Sequence, residues 1–305
     1  MTKYILKRLV TSIVTLFFII VLTFVLMHSV PGGPFAQEKA VPPEVIAALN
    51  TKYGLNRPLI VQFGDYLWGL LRFDLGPSFK YPGRTVNDFI VNGAPYSMKL
   101  GFVTIVFTLL VSIPMGIVAA RRNGRWPDAV VMVLATLGVT IPSFVAAAGL
   151  IFLFSYKLNW VPTIGLNQPI TYILPVLALG GYSVSFLARL MRSSLLEVMG
   201  QDYVRTARSK GVSELRVIVR HALRNAIIPV LTVLGPTIAG LMTGSFVIEK
   251  IFAIPGMGSY FVNSVTQRDY TTIMGMTVFY AAFLITMVFI IDLFYRLVDP
   301  RIQLD

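Results

Sequence analysis

Cysteine is absent from the 305 residues of this chain, and histidine occurs only as His28 and His221. No disulfide, thiolate metal site or cysteine nucleophile is possible, and the redox compartment is not legible. The two histidines lie far apart and no HExxH spacing occurs, so the sequence carries no zinc pattern. Nowhere does a glycine directly precede a lysine, which removes the P-loop and its backbone cradle for ATP. Charge is sparse: Asp, Glu, Lys and Arg make up 13% of the chain, half of the roughly 25% usual in soluble domains. Acidic residues are the scarcer kind, 14 against 26 basic ones, for a formal net charge of +12.

What fills the chain is apolar: 55% of it is hydrophobic, with a mean hydropathy of +0.73. Basic residues alternate with long apolar runs rather than forming one patch on a polar fold, which excludes a nucleic-acid binder. A membrane helix needs about 20 mostly apolar residues to cross a hydrocarbon core about 30 Å thick. Leu9–Met27, Leu100–Ala120, Ala129–Phe154, Thr171–Leu187, Ala226–Ile248 and Ile273–Ile291 qualify, and none contains a charge. The spacing predicts an all-α, polytopic membrane protein of six transmembrane helices forming one domain over residues 1–305. Lys3, Lys7 and Arg8 precede the first run as in a signal peptide. However, that run exceeds the roughly 7–15 residues of a cleavable one and ends in HSVPGGP, so a retained helix is expected.

Arginine and lysine in short loops set orientation. The N-terminus, the loop with Arg121, Arg122 and Arg125, the segment from Arg189 to Arg224, and the tail with Arg296 and Arg301 all fall on one side if six spans alternate. Both termini are therefore expected in the cytoplasm. Residues 29–98 then form an outer loop between spans one and two. Its stretch PPEVIAALNTKYGL predicts a helix opened by Pro43 and stopped at Gly54. PLIVQFGDYLWGLLRFD places Leu59, Ile60, Phe63, Tyr66, Leu67, Leu70 and Leu71 along a second helix. Such a loop serves as a cap on the spans, a rim for an external partner, or both.

Residues 191–225, between spans four and five, form the basic segment. Asp202 is a candidate N-cap, Tyr203 to Lys210 suit a short helix, and Gly211 suits the left-handed position that ends one. Ser213 is a second cap candidate, and Leu215, Ile218, Val219, Ala222 and Ala226 then recur as an amphipathic helix at headgroup level. Membrane anchoring explains the charge. It does not require the short helix, whose shape suits a cleft in a cytoplasmic partner.

This segment resembles the EAA loop of bacterial ABC importer permeases, and YVRTARSKG resembles their oligopeptide, dipeptide and nickel branch. KRLVTSIVTLFFIIVLTFVLMHSVPGGP, DLGPSFKYPGRTVND, HALRNAIIPVLT, GSFVIEKIFAIPGMG, RDYTTIMG and VDPRI extend the likeness over nearly the whole chain, most closely to the B-type transmembrane subunits of that branch. The general pattern reads Glu-Ala-Ala-x-x-x-Gly and later Ile-x-Leu-Pro. Here Arg205, Thr206 and Ala207 replace Glu-Ala-Ala, Gly211 and Leu223 match, and His221 and Arg224 stand at the Ile and Pro positions. No salt bridge of that glutamate carries over.

The resemblance implies half of a translocation pathway for oligopeptides, working by alternating access in a bacterial cytoplasmic membrane. It implies a homologous second permease chain, two cytoplasmic ATPase subunits that bind ATP and Mg, an extracytoplasmic substrate-binding protein, a peptide substrate and surrounding lipid. This chain itself would bind no cofactor and catalyse no reaction. Asp202, Tyr203, Val204, Arg205, Thr206, Ala207, Arg208, Ser209, Lys210, Gly211 and Val212 would form the ATPase-coupling element, with Ala207 facing the partner cleft. Thr237, Met242 and Ser245 on span five, and Pro255, Gly256 and Gly258 after it, would belong to the pathway or outer gate. Dipeptides, nickel complexes and glutathione remain alternative solutes within the family. An ion-coupled carrier is opposed by the charge-free runs, and a receptor or scaffold using the basic loop is the third class. Gly240 and Gly244 have small-xxx-small spacing for close helix packing. Pro142 and Pro236 interrupt spans three and five, and Asp292 lies one turn before Arg296, a spacing that favours an intrahelical pair.

Overall fold

The computed structural model describes residues 2–35 and 42–298. Among them every regular element is helical, apart from one isolated antiparallel bridge between Pro77 and Thr85. Five helices are long and apolar enough to cross a membrane: Ile5–Ser29, Val86–Arg121, Pro169–Met199, Ile228–Ile251 and Tyr270–Ile291; a bent pair makes up to six. The expected Asp292–Arg296 pair and the basic tail lie outside the described side chains.

Contacts divide the chain into two compact units, one of Met1–Pro95 and Gly256–Ile285, the other of Tyr96–Pro255 and Thr286–Asp305. In the first, helix α1 (Thr2–Ser29) leads to the helices α2 (Pro43–Lys52) and α3 (Leu59–Leu71) of the long loop that follows it. Both loop helices form where the sequence predicts them, and Gly54 ends α2 at φ +68°. The apolar face of α3 meets α1 through Phe63 and Phe24, whose ring centroids stand 5.1 Å apart. His28 stacks on Phe24 and lies 3.2 Å from the Gln62 side-chain oxygen. Val86, Phe89 and Ile90, which open α4 (Val86–Arg121), bury against Met257 and Met276. These come from α13 (Met257–Gln267) and α14 (Tyr270–Val298). Asp269 caps α14 by accepting from the Thr272 amide and hydroxyl, and it also takes the Phe79 amide. That carboxylate fastens the end of the long loop to the helix start.

In the second unit, α7 (Ile173–Met199) is the central element, with residues buried along its whole length from Leu174 to Leu195. The expected third span is not one straight helix. α5 (Trp126–Thr140) and α6 (Ser143–Leu150), continued by a π-helical stretch to Lys157, meet at an angle of 107°. Pro142 offers no N–H to the turn before it and pushes Ile141 into extended backbone, at ψ 119°. Both arms pack on α7. Pro236, by contrast, sits inside a continuous helix, α11 (Ile228–Met242).

The fifth span is broken elsewhere, between α11 and α12 (Phe246–Ile251), where Gly244 takes φ +87°. This corrects the small-xxx-small reading: Gly240 has nothing within 4 Å of where a Cβ would stand, and Gly244 is a turn residue. Close approach is made instead by Gly116, where an added Cβ would lie 2.6 Å from Met191 Cβ, and by Gly138 against Ser185.

Candidate functional site

The basic segment folds into a small, self-braced projection. α8 (Asp202–Ser209) is capped one residue earlier than predicted: Gln201 holds the N-cap backbone position without a side-chain capping bond, and Asp202 is the first helical residue. The helix ends as expected. Gly211 has φ +75°, its amide donates to the Arg208 carbonyl at 2.9 Å, and the Val212 amide reaches back to Ala207 at 3.3 Å. That pair of bonds is the Schellman closure, which satisfies carbonyls that a helix end otherwise leaves open.

Behind this turn, Ser213 occupies the expected cap position of α9 (Glu214–Arg216) but makes no side-chain bond. A π-helical turn follows at Val217–Ala222, then α10 (Leu223–Ala226). The wider turn alters the predicted face. Val217, Ile218, Ala222 and Ala226 are buried, whereas Leu215 and Val219 are exposed.

Three contacts brace α8 to this base. Val204 and Ala207 bury against Val217. Arg208 Nη2 bonds Glu214 Oε1 at 2.8 Å and its Nε bonds Oε2 at 3.2 Å. Asn225 donates to the Tyr203 hydroxyl at 2.8 Å. The Arg208 bond holds the Glu214 carboxyl below its usual range, and the same bond raises the Arg208 guanidinium. Burial of a valine side chain contributes about 1.5–3 kcal/mol, so the apolar contact outweighs the half-exposed ion pair.

Ala207 therefore does not face outward as expected: its side chain is 7% exposed and is used by the chain's own core. Its smallness lets α8 lie close to Val217. The exposed surface comprises Asp202, Arg205, Thr206, Ser209 and Lys210, with half-exposed Tyr203 and Arg208 at its edge. Arg205 is 71% exposed and lies 3.7 Å from Asp202, too open to be neutralised by it.

The residues expected to line a pathway are less uniform. Thr237 bonds its own helix at the Val233 carbonyl. Met242 ends α11, and Ser245 caps α12 by accepting from the Ile248 amide. Pro255 is exposed, while Gly256 and Gly258 are buried at the start of α13. Thr237, Met242, Ser245 and Pro255 belong to one compact unit, Gly256 and Gly258 to the other.

Two features escaped sequence reasoning. Asp128 pairs with Arg192 through two bonds of 2.6 and 2.7 Å, joining the start of α5 to α7. Glu249 is fully buried within the span Ile228–Ile251, where no charge was expected. The uncharged run ends at Ile248 because Glu249 is the first charged residue after it. The helical pattern continuing through Ile251 was the available signal. Among the described residues no group of three or more His, Asp or Glu is placed to hold a metal ion.

Comparison with known proteins sets this geometry in context. Residues 112–304 match the family described as "Binding-protein-dependent transport system inner membrane component", and residues 1–101 match its N-terminal companion. The chain is 48% identical over 304 residues to the dipeptide transport system permease protein DppB of Bacillus subtilis (strain 168), covering 100% of this chain and 99% of that one. It is 44% identical to the oligopeptide transport system permease protein OppB of Haemophilus influenzae, covering 99% of this chain and 100% of that one. An inward-facing structure of the MetNI methionine ABC transporter superposes with a TM-score of 0.51 at 18% identity, over 70% of this chain and 97% of that one. An amino acid ABC transporter crystallised with histidines gives a TM-score of 0.52 at 19% identity, over 69% and 94%. At those identities the likeness concerns the fold.

Proposed function

Because this chain belongs to the family of binding-protein-dependent transport system inner membrane components, we propose that it forms half of an ATP-driven import pathway for oligopeptides. It acts beside a homologous second permease chain. The observation that carries the coupling part of this reading is α8, a short basic helix braced by three contacts to its base with one face left open. A rigid projection of this kind transmits displacement; a loose loop would absorb it.

Two cytoplasmic ATPase subunits bind ATP and Mg and supply the movement. Arg205, Thr206, Ser209 and Lys210 meet the ATPase surface, and Asp202 and Tyr203 border it. Val204, Ala207, Arg208, Gly211 and Val212 hold the helix to its base. The push passes through Val217 and Ile218 into α11, since this stretch runs directly into the fifth span. Both termini and residues 191–225 lie in the cytoplasm of a bacterial cell, and residues 29–98 meet a substrate-binding protein outside. Thr237, Met242, Ser245, Pro255, Gly256 and Gly258 serve the pathway and outer gate. Peptide chemistry is favoured over nickel complexes or glutathione by the names of the full-length relatives.

The decisive experiment is purification in mild detergent, identification of the co-purifying subunits, and uptake of tritiated trialanine by vesicles rebuilt from them. Uptake that needs ATP and survives collapse of sodium and proton gradients supports the proposal. Uptake that stops with the gradients while ATP hydrolysis persists overturns it in favour of an ion-coupled carrier.

A further inference from the structure

Three carboxylates are buried among the described residues: Asp128, Glu249 and Asp269. Asp128 is answered by the Arg192 guanidinium, and Asp269 caps a helix. Glu249 stands apart because, within a candidate membrane span, it meets a serine hydroxyl of another helix. An ionisable group there is expensive to bury, so its presence points to a task beyond filling space.

The surroundings of Glu249 indicate the task. α11 stops at Met242 and α12 starts at Phe246, so the span bends through Thr243, Gly244 and Ser245. Glu249 Oε1 accepts from the Ser97 hydroxyl at 2.7 Å, and Ser97 belongs to α4 and is itself fully buried. The carboxylate fills the place where any side chain on residue 244 would stand: a Cβ built on Gly244 would collide with Glu249 Oε1 and lie 3.1 Å from Ser97 Oγ. Gly244 is thus glycine for two separate reasons, its φ of +87° and the carboxylate beside it. The backbone of Glu249 works in the same joint. Its amide donates to Ser245 at 2.9 Å, and its carbonyl takes the Ile254 amide at 2.8 Å. One residue therefore joins α4, the break, α12 and the segment of chain that follows it.

We propose that Glu249 is a positioning residue for transport: its carboxylate latches the broken fifth span to α4 through Ser97, and this latch sets the conformation of the break. The inference rests on the transport reading above. The latch needs an acceptor oxygen of the right length more than it needs a charge. Glu249→Gln would keep an oxygen acceptor for Ser97 at this place, whereas Glu249→Ala would remove it and empty the space beside Gly244.

The test uses the complete complex with its native partner subunits and tritiated trialanine as probe. Glu249→Ala and Ser97→Ala should each slow ATP-dependent uptake, Glu249→Ala by about tenfold or more, while Glu249→Gln stays within about threefold of the parent. The double variant should be no worse than Glu249→Ala alone, because both changes open one latch. Membrane abundance and the yield of co-purified ATPase subunits should be unchanged, and the ratio of substrate-free to substrate-stimulated ATP hydrolysis should rise. Equal loss of abundance and uptake in all variants would reduce Glu249 to a folding residue and overturn the latch. So would uptake unchanged in Glu249→Ala, or losses in the two single variants that multiply in the double. If the parent complex hydrolyses ATP but imports no trialanine, peptide transport fails instead. The substrate-free ATP hydrolysis of the same variants then still decides the latch: it should rise in Glu249→Ala and Ser97→Ala but not in Glu249→Gln, and an unchanged rate in all three overturns it.

Discussion

At residue scale, Gly211 and Ala207 make different demands on the same helix. Gly211 needs its left-handed φ, which proline cannot adopt, and has nothing within 4 Å of a would-be Cβ. Gly211→Ala should therefore cost only the conformational strain, about 1 kcal/mol, and Gly211→Pro should open the turn altogether. Ala207→Leu should fail for another reason, by lifting α8 from Val217. Arg205→Glu should leave α8 in place and reverse its outward charge. Measured side by side, Ala207→Leu and Gly211→Pro should raise protease cleavage within residues 202–212. Arg205→Glu should weaken only the recovery of ATPase subunits. The Arg208–Glu214 pair adds a pH dependence. Glu214 has a depressed pKa, so its contribution is full above its unfolded value, about 4.3, and is lost as pH falls through the lower folded value. Because both partners are 40% and 43% exposed, the contribution is only a few tenths of a kcal/mol. The protection factors of the 202–212 amides, corrected for the intrinsic pH dependence of exchange, should fall below about pH 4, and Glu214→Gln should show the lower protection already at pH 7.

At the scale of elements, helix packing is decided by glycines that touch something. At Gly116 an added Cβ would lie 2.7 Å from the Ala188 carbonyl oxygen as well as 2.6 Å from Met191. Gly116→Ala should lower the unfolding midpoint of the detergent-solubilised protein, with a cost of about 1–3 kcal/mol from overpacking. Gly240→Ala should leave it unchanged or raise it slightly, since that position is open and alanine is the better helix former. A larger loss at Gly240 than at Gly116 would contradict this packing. The bend at Pro142 belongs to the same scale. The proline was visible in the sequence, and so was the apolar run around it. Whether the helix would kink slightly or turn through 107° depended on the surface of α7 that receives both arms.

At the scale of the whole molecule, orientation is the property to be measured, and the absence of cysteine makes the chain suitable for it. Ser209→Cys and Arg84→Cys both replace exposed residues. An impermeant maleimide added to intact cells should label Arg84→Cys and spare Ser209→Cys until the membrane is opened. Labelling of both from outside would invert or break the proposed topology. Ser78 is unsuited to this purpose, being 1% exposed and bonded to Asp269.

Much of this architecture was legible in the order of residues because the bilayer imposes a simple length rule. Uncharged apolar runs had to become helices with their backbone groups satisfied internally, and α2, α3, the short helix α8 and its glycine stop followed from proline, glycine and apolar spacing. Charge marked the ends of spans too conservatively. α4 starts at Val86 rather than near Leu100, and the fifth span runs past Glu249, because a helix tolerates ionisable residues where tertiary partners receive them. Only the tertiary structure decided that Ala207 turns inward, that Gly116 rather than Gly240 meets a neighbour, and that a serine on α4 receives the carboxylate of Glu249. Periodicity identifies a face of a helix, but which atoms fill the space beside that face is settled by chain brought in from more than a hundred residues away, as with Ser97 and Glu249.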